Sequence, residues 1–378
     1  MDNRSGRGDE PISGLLIGRP FGVPVYHAPT WFIVAALITV SYATAVEARI
    51  PGIGAWKYVV SLSFALLLYL SVLMHELSHT LVALRAGLPV RRISLYLLGG
   101  VSEIEKPSPT PAREAGIAAA GPATSLVLGL GCFLLSRLLD PGTATRMVVD
   151  ALTWSNLAVG VFNLLPGLPL DGGRMVQALV WRLTGHRTTG AVAAAWAGRS
   201  VAVVVGIGPV ALAARAAEPP SLLGVVWGPL LGWFIWNGAT QSLAVARIQS
   251  RVPALVARTL TRRAVPAAAD LPLAEALRRA QEAGAAAIVV VAGDGRPVGI
   301  VAESRVRRVP LARRPWEAVG DLSRRLHPEM VVSAELTGEA LLEAIADVAA
   351  SEFLVVEANG EIYGVLSTVD VERAIAPS

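Results

Sequence analysis

Apolar residues in the first two thirds of this chain come in long runs, not in the short alternations of a soluble fold. Residues 30–45 and 58–86 read as two membrane-crossing helices, the second ended by Gly87 and Pro89. Residues 114–139, interrupted by Gly121-Pro122, predict a third, and residues 147–165, stopped by Pro166, a fourth. A short helix follows from the Pro169-Leu-Asp-Gly-Gly-Arg segment to near Gly185. A fifth span lies between residues 189 and 214, with Arg199 near its cytosolic end or buried, and residues 222–245 form a sixth. Residues 90–104 are rich in β-branched side chains broken by Gly99-Gly100 and predict a short membrane-associated β segment. Residues 14–26 alternate turn and apolar residues and are expected along the membrane surface, while Met1 to Arg7 reads as disordered.

After about Ile248 the pattern becomes that of a soluble α/β domain, and it repeats. The run from Ala287 through an Asp-Gly turn to Val301 matches the run from Glu352 through an Asn-Gly turn to Leu366, an offset of 65 residues. Each copy offers a helix (273–283 and 338–349), a buried strand, a tight turn and a second strand. The expected organisation is an interfacial segment over residues 1–29, a six-span unit over 30–247, and a tandem pair over 248–378, its halves about 252–312 and 316–378.

Composition agrees: 53% of the 378 residues are hydrophobic and 16% charged, more apolar than an average soluble chain. A net charge of +4 is too mild to indicate nucleic-acid binding. A lone cysteine, Cys132, excludes a disulfide framework and a cysteine metal site. The stretch before Thr30 carries proline and charge, not the apolar core of a cleavable signal. Cations alternate across the spans: Arg85, Arg91, Arg92, Lys106 and Arg113 on one side, only Arg49, Lys57, Arg137, Arg146 and Arg215 on the other. By the positive-inside rule both termini are expected in the cytosol, and His75 and His79 in the cytosolic half of the second span.

That span carries His75-Glu76-Leu77-Ser78-His79. Positions i and i+4 share a helix face, so both imidazoles can meet one ion, with Glu76 turned to reach a water on it. In a soluble helix this pattern is weak. Here, from Tyr58 to Met74, only tyrosines are ionisable, and a Glu with two His at membrane depth is costly without partners. Zinc suits such a site because it accepts imidazole and keeps an open position for water. A third ligand is needed, and Asp171 is the candidate, presented by backbone that Pro166 and Pro169 break. In isolation Asp171 would read as an ordinary helix N-cap. Beside H-E-x-x-H, the ligand reading is preferred, since two His and a carboxylate form a catalytic set.

With these motifs, the Gly99-Gly100 loop, Ala120-Gly121-Pro122 and the stretch from Asn163 to Arg174, the chain resembles the site-2 protease family of intramembrane zinc metalloproteases (peptidase family M50). It is similar to the bacterial subgroup with six spans and a C-terminal pair of cystathionine-β-synthase (CBS) domains. The resemblance implies zinc on His75, His79 and Asp171, Glu76 as general base, and cleavage of a membrane-embedded substrate near the cytosolic face. It implies a membrane-tethered regulator, such as an anti-sigma factor, as substrate. Asn163 is a candidate for the substrate backbone or oxyanion, or simply satisfies carbonyls freed near Pro166. The segment with Gly99 and Gly100 is a candidate to hold an unwound substrate by strand addition, or is a plug. His27, expected at the interface, His186, expected as a helix C-terminal cation, and His327 are not ligands in this reading.

In the CBS pattern a Ser/Thr and an Asp after the second strand hold an adenine nucleotide. Ser367 and Asp370 after Gly364 fit, whereas Ala302 and Arg305 after Gly299 do not. A purely structural or dimerising pair is the alternative. The run Arg305, Arg307, Arg308, Arg313, Arg314 meets phosphate or anionic lipid, or is a solvated connector. Competing functions are a CBS-gated transporter and a silent membrane adaptor. No second broken helix supports the former, and the presence of Glu76 disfavours the latter.

Overall fold

Thirty residues from Trp56 to Arg85 form one unbroken helix, α2. The computed structural model describes residues 14–96, 99–104, 106–215, 222–346 and 348–376; the disorder expected of Met1 to Arg7 lies outside them. Two compact units divide between Ala246 and Arg247.

In the first unit the other helices are α1 (Trp31–Arg49), α3 (Pro111–Ser136), α4 (Ala144–Asn163), α5 (Asp171–Thr184), α6 (Arg187–Arg215) and α7 (Leu222–Arg251). Among the described residues α1, α2, α3 and α6 are long and apolar enough to cross a membrane. All six expected runs form helices, but neither α4 nor α7 is among those four; in α4, Arg146, Asp150 and Asn156 interrupt the apolar run. The chain is a polytopic helical membrane protein.

Helix starts follow local chemistry. The hydroxyls of Thr110 and Thr143 accept from the backbone N–H of Arg113 and Arg146, and Pro111 occupies the first turn of α3, where no N–H is needed. The expected interruption at Gly121-Pro122 does not occur: α3 runs through both. A proline is tolerated inside a packed membrane helix when its surroundings satisfy the freed carbonyl.

Residues 14–26, expected along the membrane surface, supply two strands, β1 (Leu15–Gly18) and β2 (Val25–His27). They join β3 (Val90–Tyr96) and β4 (Gly99–Ile104) in a four-stranded sheet of order β1-β2-β3-β4. Segments of four and three residues carry almost no periodic signal, and β2 gains its partner from residues far along the chain, pairing parallel with β3 as Val25 to Ile93. Gly99 and Gly100 do not break the extended segment; they open β4, opposite Tyr96 and Leu95. Val23, Val25, Ile93 and Leu95 are buried against Tyr69, Leu73, Leu77 and Leu84 of α2, so the sheet rests on the helix that carries H-E-x-x-H. His27, expected at the interface, is buried within the protein, with Nδ1 2.7 Å from the Tyr69 hydroxyl.

The second unit has α8 (Ala257–Leu260), β5 (Arg262–Ala268), α9 (Leu273–Glu282), β6 (Ala287–Val291), β7 (Pro297–Val301), α10 (Glu303–Val306) and β8 (Ser323–Arg325) in its first half. The second half has β9 (Val331–Ser333), α11 (Gly338–Ala346), β10 (Glu352–Val356), β11 (Ile362–Ser367) and α12 (Thr368–Ile375). One seven-stranded sheet, β8-β7-β6-β5-β11-β10-β9, joins the halves through the antiparallel β5–β11 pair. Val289 and Ile300 of the first repeat share a buried cluster with Phe353, Leu354 and Leu366 of the second, and a smaller cluster lies under α9.

Candidate metal centre

His75 and His79 lie one turn apart on the buried face of α2, and α3 fixes how each ring points. His79 Nδ1 donates to the Ile117 carbonyl at 2.7 Å, so its proton is on Nδ1 and its Nε2 lone pair is free. His75 Nδ1 lies 2.9 Å from the Ser125 hydroxyl. Both rings therefore turn Nε2 inward, where the two atoms are 3.2 Å apart.

Asp171 completes the cluster. It is the first residue of α5; the capping position belongs to Leu170, and no side-chain cap bond forms, so the N-cap alternative fails. Its Oδ2 sits 3.2 Å from Nε2 of His75 and 3.2 Å from Nε2 of His79. Two glycines let the broken segment fold back over the helix start: a Cβ on Gly172 would lie 2.4 Å from the Leu164 carbonyl oxygen, and one on Gly173 2.1 Å from the Leu168 nitrogen.

These donors fit zinc. Around a tetrahedral ion with bonds of about 2.0 Å, neighbouring donors sit roughly 3.3 Å apart. The three donor atoms come close to that spacing, and the set of two imidazoles and one carboxylate leaves a fourth position for water. Gly121 keeps the space open, since a Cβ there would lie 2.2 Å from His79 Nε2 and 2.4 Å from His75 Nε2. Among the described residues, no other group of His, Cys, Asp or Glu converges in this way.

Glu76 is buried beside the donors' helix face, with the Ser102 hydroxyl of β4 3.4 Å from its Oε2 and Thr80 3.2 Å from that hydroxyl. The backbone of Gly100 passes so close that a Cβ would lie 2.3 Å from Glu76 Cγ. A feature the sequence reading missed ties the ligand helix down: Arg174 donates from Nε to Glu114 Oε1 at 3.0 Å, and its Nη2 lies 2.9 Å from the same oxygen. Glu114 is 4% exposed. No signal in either local sequence links two residues sixty positions apart, although a Glu facing a membrane helix is itself a reason to look for a partner. Asn163 ends α4, half-buried, and its amide makes no hydrogen bond among the described residues.

Arg199, left open between two placements, lies within α6, its guanidinium 4.8 Å from the Trp196 ring and 5.1 Å from the Trp236 ring, with Nη2 donating to Thr240 at 3.2 Å. His186 lies just beyond α5, with Nδ1 2.8 Å from the Thr184 carbonyl oxygen.

In the second unit Ser367 and Asp370 lie at the start of α12, and both are engaged internally. The Ser367 hydroxyl caps the Val369 N–H. Asp370 Oδ2 is 2.7 Å from Arg262 Nε, and Arg262 also reaches Glu303 at 2.9 Å. A cavity of about 340 Å³ opens beside them, lined by Arg262, Glu303, Glu352, Ser367 and apolar residues of α9 and β6. Burial pushes the Glu352 carboxyl above the usual range.

The sequence signature of peptidase family M50 matches residues 63–144 and 136–207, and that of the CBS domain residues 256–312. The chain is 31% identical over 375 residues to a protein of Synechocystis sp. named zinc metalloprotease sll0528, covering 97% of this chain and 96% of that one. It is 33% identical over 366 residues to one of Mycobacterium tuberculosis named zinc metalloprotease Rip3, covering 95% and 92%. A solved site-2 protease from Methanocaldococcus jannaschii is 24% identical and matches 61% of this chain and 95% of its own, with a TM-score of 0.41. The chain therefore belongs to peptidase family M50, the zinc metalloproteases of site-2 protease type, and carries a CBS domain after its helical unit.

Proposed function

We propose that this membrane protein cleaves membrane-embedded regulatory proteins within the bilayer, with His75, His79 and Asp171 holding zinc and Glu76 acting as general base. The observation that carries the reading is the convergence of three donor atoms from α2 and α5 on one space bordered by Gly121. Held by His75, His79 and Asp171, zinc would supply Lewis acidity to a bound water and to the scissile carbonyl. Glu76 takes the water's proton as the oxygen attacks, then returns it to the leaving amine. Asn163, whose amide has no hydrogen-bond partner among the described residues, is assigned to the substrate backbone or the developing oxyanion. β4 is an edge strand of its sheet and borders Glu76, which supports its holding an unwound substrate by strand addition.

The substrate class is a single-span membrane protein such as an anti-sigma factor, cut near the cytosolic face. The reading takes six spans in the cell membrane, both termini in the cytosol, a protease unit over residues 30–247 and a CBS pair over 248–378. The cavity beside Ser367 favours a small-molecule input to that pair, with an adenine nucleotide as the ligand class. Dimerisation through the CBS pair belongs to the same reading. The test is co-expression with candidate single-span proteins, comparing the native chain with Glu76→Gln. Cleavage lost with one zinc per chain retained supports the proposal. Cleavage retained in Glu76→Gln, or no zinc in the native chain, overturns it.

A further inference from the structure

The first repeat displays a surface that its own fold does not explain. Between α10 and the buried Val319, residues 303–316 form a short helix and a 3-10 turn, held to the core by Val306 and Val309. From this fixed base Trp316 stands 88% exposed and Leu311 76% exposed, flanked by Pro310 and Pro315. Arg305, Arg307, Arg308 and Arg313 are exposed beside them and Arg314 half-exposed, against two acidic neighbours, Glu303 and Glu317. Arg307 pairs with Glu303 and Arg313 with Glu317 at 3.3 Å.

A solvated connector accounts for the arginines but not for the indole. A tryptophan that exposed costs apolar hydration, and no burial among the described residues repays it. Trp beside Leu within a ring of guanidinium groups is the composition of a bilayer-interface contact: the indole sits at headgroup depth, and the cations meet lipid phosphate. The chain supplies the opportunity, because this unit continues directly from the membrane-helical unit at Arg247 and is covalently held to it.

We propose that residues 305–316 dock the first CBS repeat onto an anionic membrane surface, with Trp316 and Leu311 at headgroup depth and Arg307, Arg308 and Arg313 on lipid phosphate. The inference depends on the membrane location of the helical unit and is independent of the catalytic assignment. The occupant is lipid, by charge complementarity and tethering; an acidic protein partner is an outcome the test separates.

The experiment uses the full chain, with Cys132→Ser and Trp316→Cys carrying an environment-sensitive fluorophore, in nanodiscs of phosphatidylcholine alone or of an equal mixture with phosphatidylglycerol. A second reporter, Glu361→Cys in an exposed turn of the other repeat, is the control. The position-316 label should shift to the blue and be quenched severalfold more by brominated lipid in the anionic discs. High salt should reverse the difference, since surface charge attraction is screened. Joint reversal of Arg307, Arg308 and Arg313 to Glu should abolish it and leave the position-361 signal unchanged. Equal emission in both lipid compositions overturns the proposal. So does a blue shift indifferent to lipid, salt and charge reversal, which indicates a protein contact.

Discussion

Gly121 faces the two imidazoles so closely that a Cβ at its position would lie 2.2 Å from Nε2 of His79 and 2.4 Å from Nε2 of His75. A methyl group there occupies the space the ligand atoms define, and it arises from α3, whose backbone also orients His79 through Ile117. Gly121→Ala is expected to reduce bound zinc to well under half an equivalent while the protein still inserts and purifies. Gly131→Ala, where a Cβ meets nothing within 4 Å, should retain a full equivalent. Elemental analysis of both purified variants checks this; equal zinc in the two refutes it.

A comparable closeness governs the base. A Cβ on Gly100 would lie 2.3 Å from Glu76 Cγ and 2.8 Å from Leu95 Cδ2, so either β4 or the carboxylate must move. Gly100→Ala should keep zinc, whose ligands it does not touch, and lower kcat by about 10²-fold or more, the usual worth of a positioned general base. Ser102→Ala, which removes the 3.4 Å contact to Oε2 and the 3.2 Å contact to Thr80 but displaces no backbone, should be milder. Substrate cleavage rates beside zinc content distinguish a displaced base from a lost metal.

Parts of this arrangement were legible in the chain and parts were not, for physical reasons. The pairing of His75 with His79 follows from helical period alone, and Asp171 could be reached because broken backbone with Asp-Gly-Gly at membrane depth needs a purpose. Gly121-Pro122 reads as a break, yet α3 continues through it, since composition cannot say whether a glycine bends a helix or admits a neighbour. The sheet formed by β1 and β2 was unreadable: three or four residues show no period, and β2 is set by pairing with Ile93 and Leu95. The same distance hides His27 with Tyr69 and Glu114 with Arg174, where each residue alone looks like an isolated polar side chain.

The Glu114–Arg174 pair ties α3 to α5 one turn beyond Asp171. Removing one partner of a buried pair strands the other's charge, a loss of up to about 3 kcal/mol where the survivor is fully enclosed. Glu114 is the more deeply enclosed member, so Arg174→Ala should destabilise more than Glu114→Gln. Both should also weaken zinc retention against a competing chelator, since Asp171 rides on the same helix. Thermal denaturation in detergent and chelator titration measure the two effects; unchanged zinc retention in both variants would sever the pair from the metal site.

Metal dependence follows from the donor chemistry. Two imidazoles with one carboxylate suit zinc and disfavour magnesium or calcium, which prefer oxygen. Prolonged chelation should abolish cleavage, and stoichiometric zinc should restore it where excess magnesium does not. Recovery with magnesium alone would contradict the donor assignment.

The last prediction concerns the second unit, where Arg262 of β5 holds Asp370 at 2.7 Å and Glu303 at 2.9 Å, bridging residues of both repeats. The side chain of Asp370 is only 14% exposed and that of Arg262 33%, so solvent screens the pair in part. Arg262→Ala leaves Asp370 with the longer contact to Arg373 at 3.3 Å. The expected loss is about 1 to 1.5 kcal/mol, in the range for a charged hydrogen bond of intermediate burial. Local opening would then rise by roughly tenfold, seen as faster amide exchange in β5 and β11 of the full chain, with α2 unaffected. Since Arg262 and Ser367 line the same cavity, an adenine nucleotide bound there should raise protection of β11 in the native chain and not in the variant if its phosphates use that guanidinium. A rise in both would place the phosphates elsewhere.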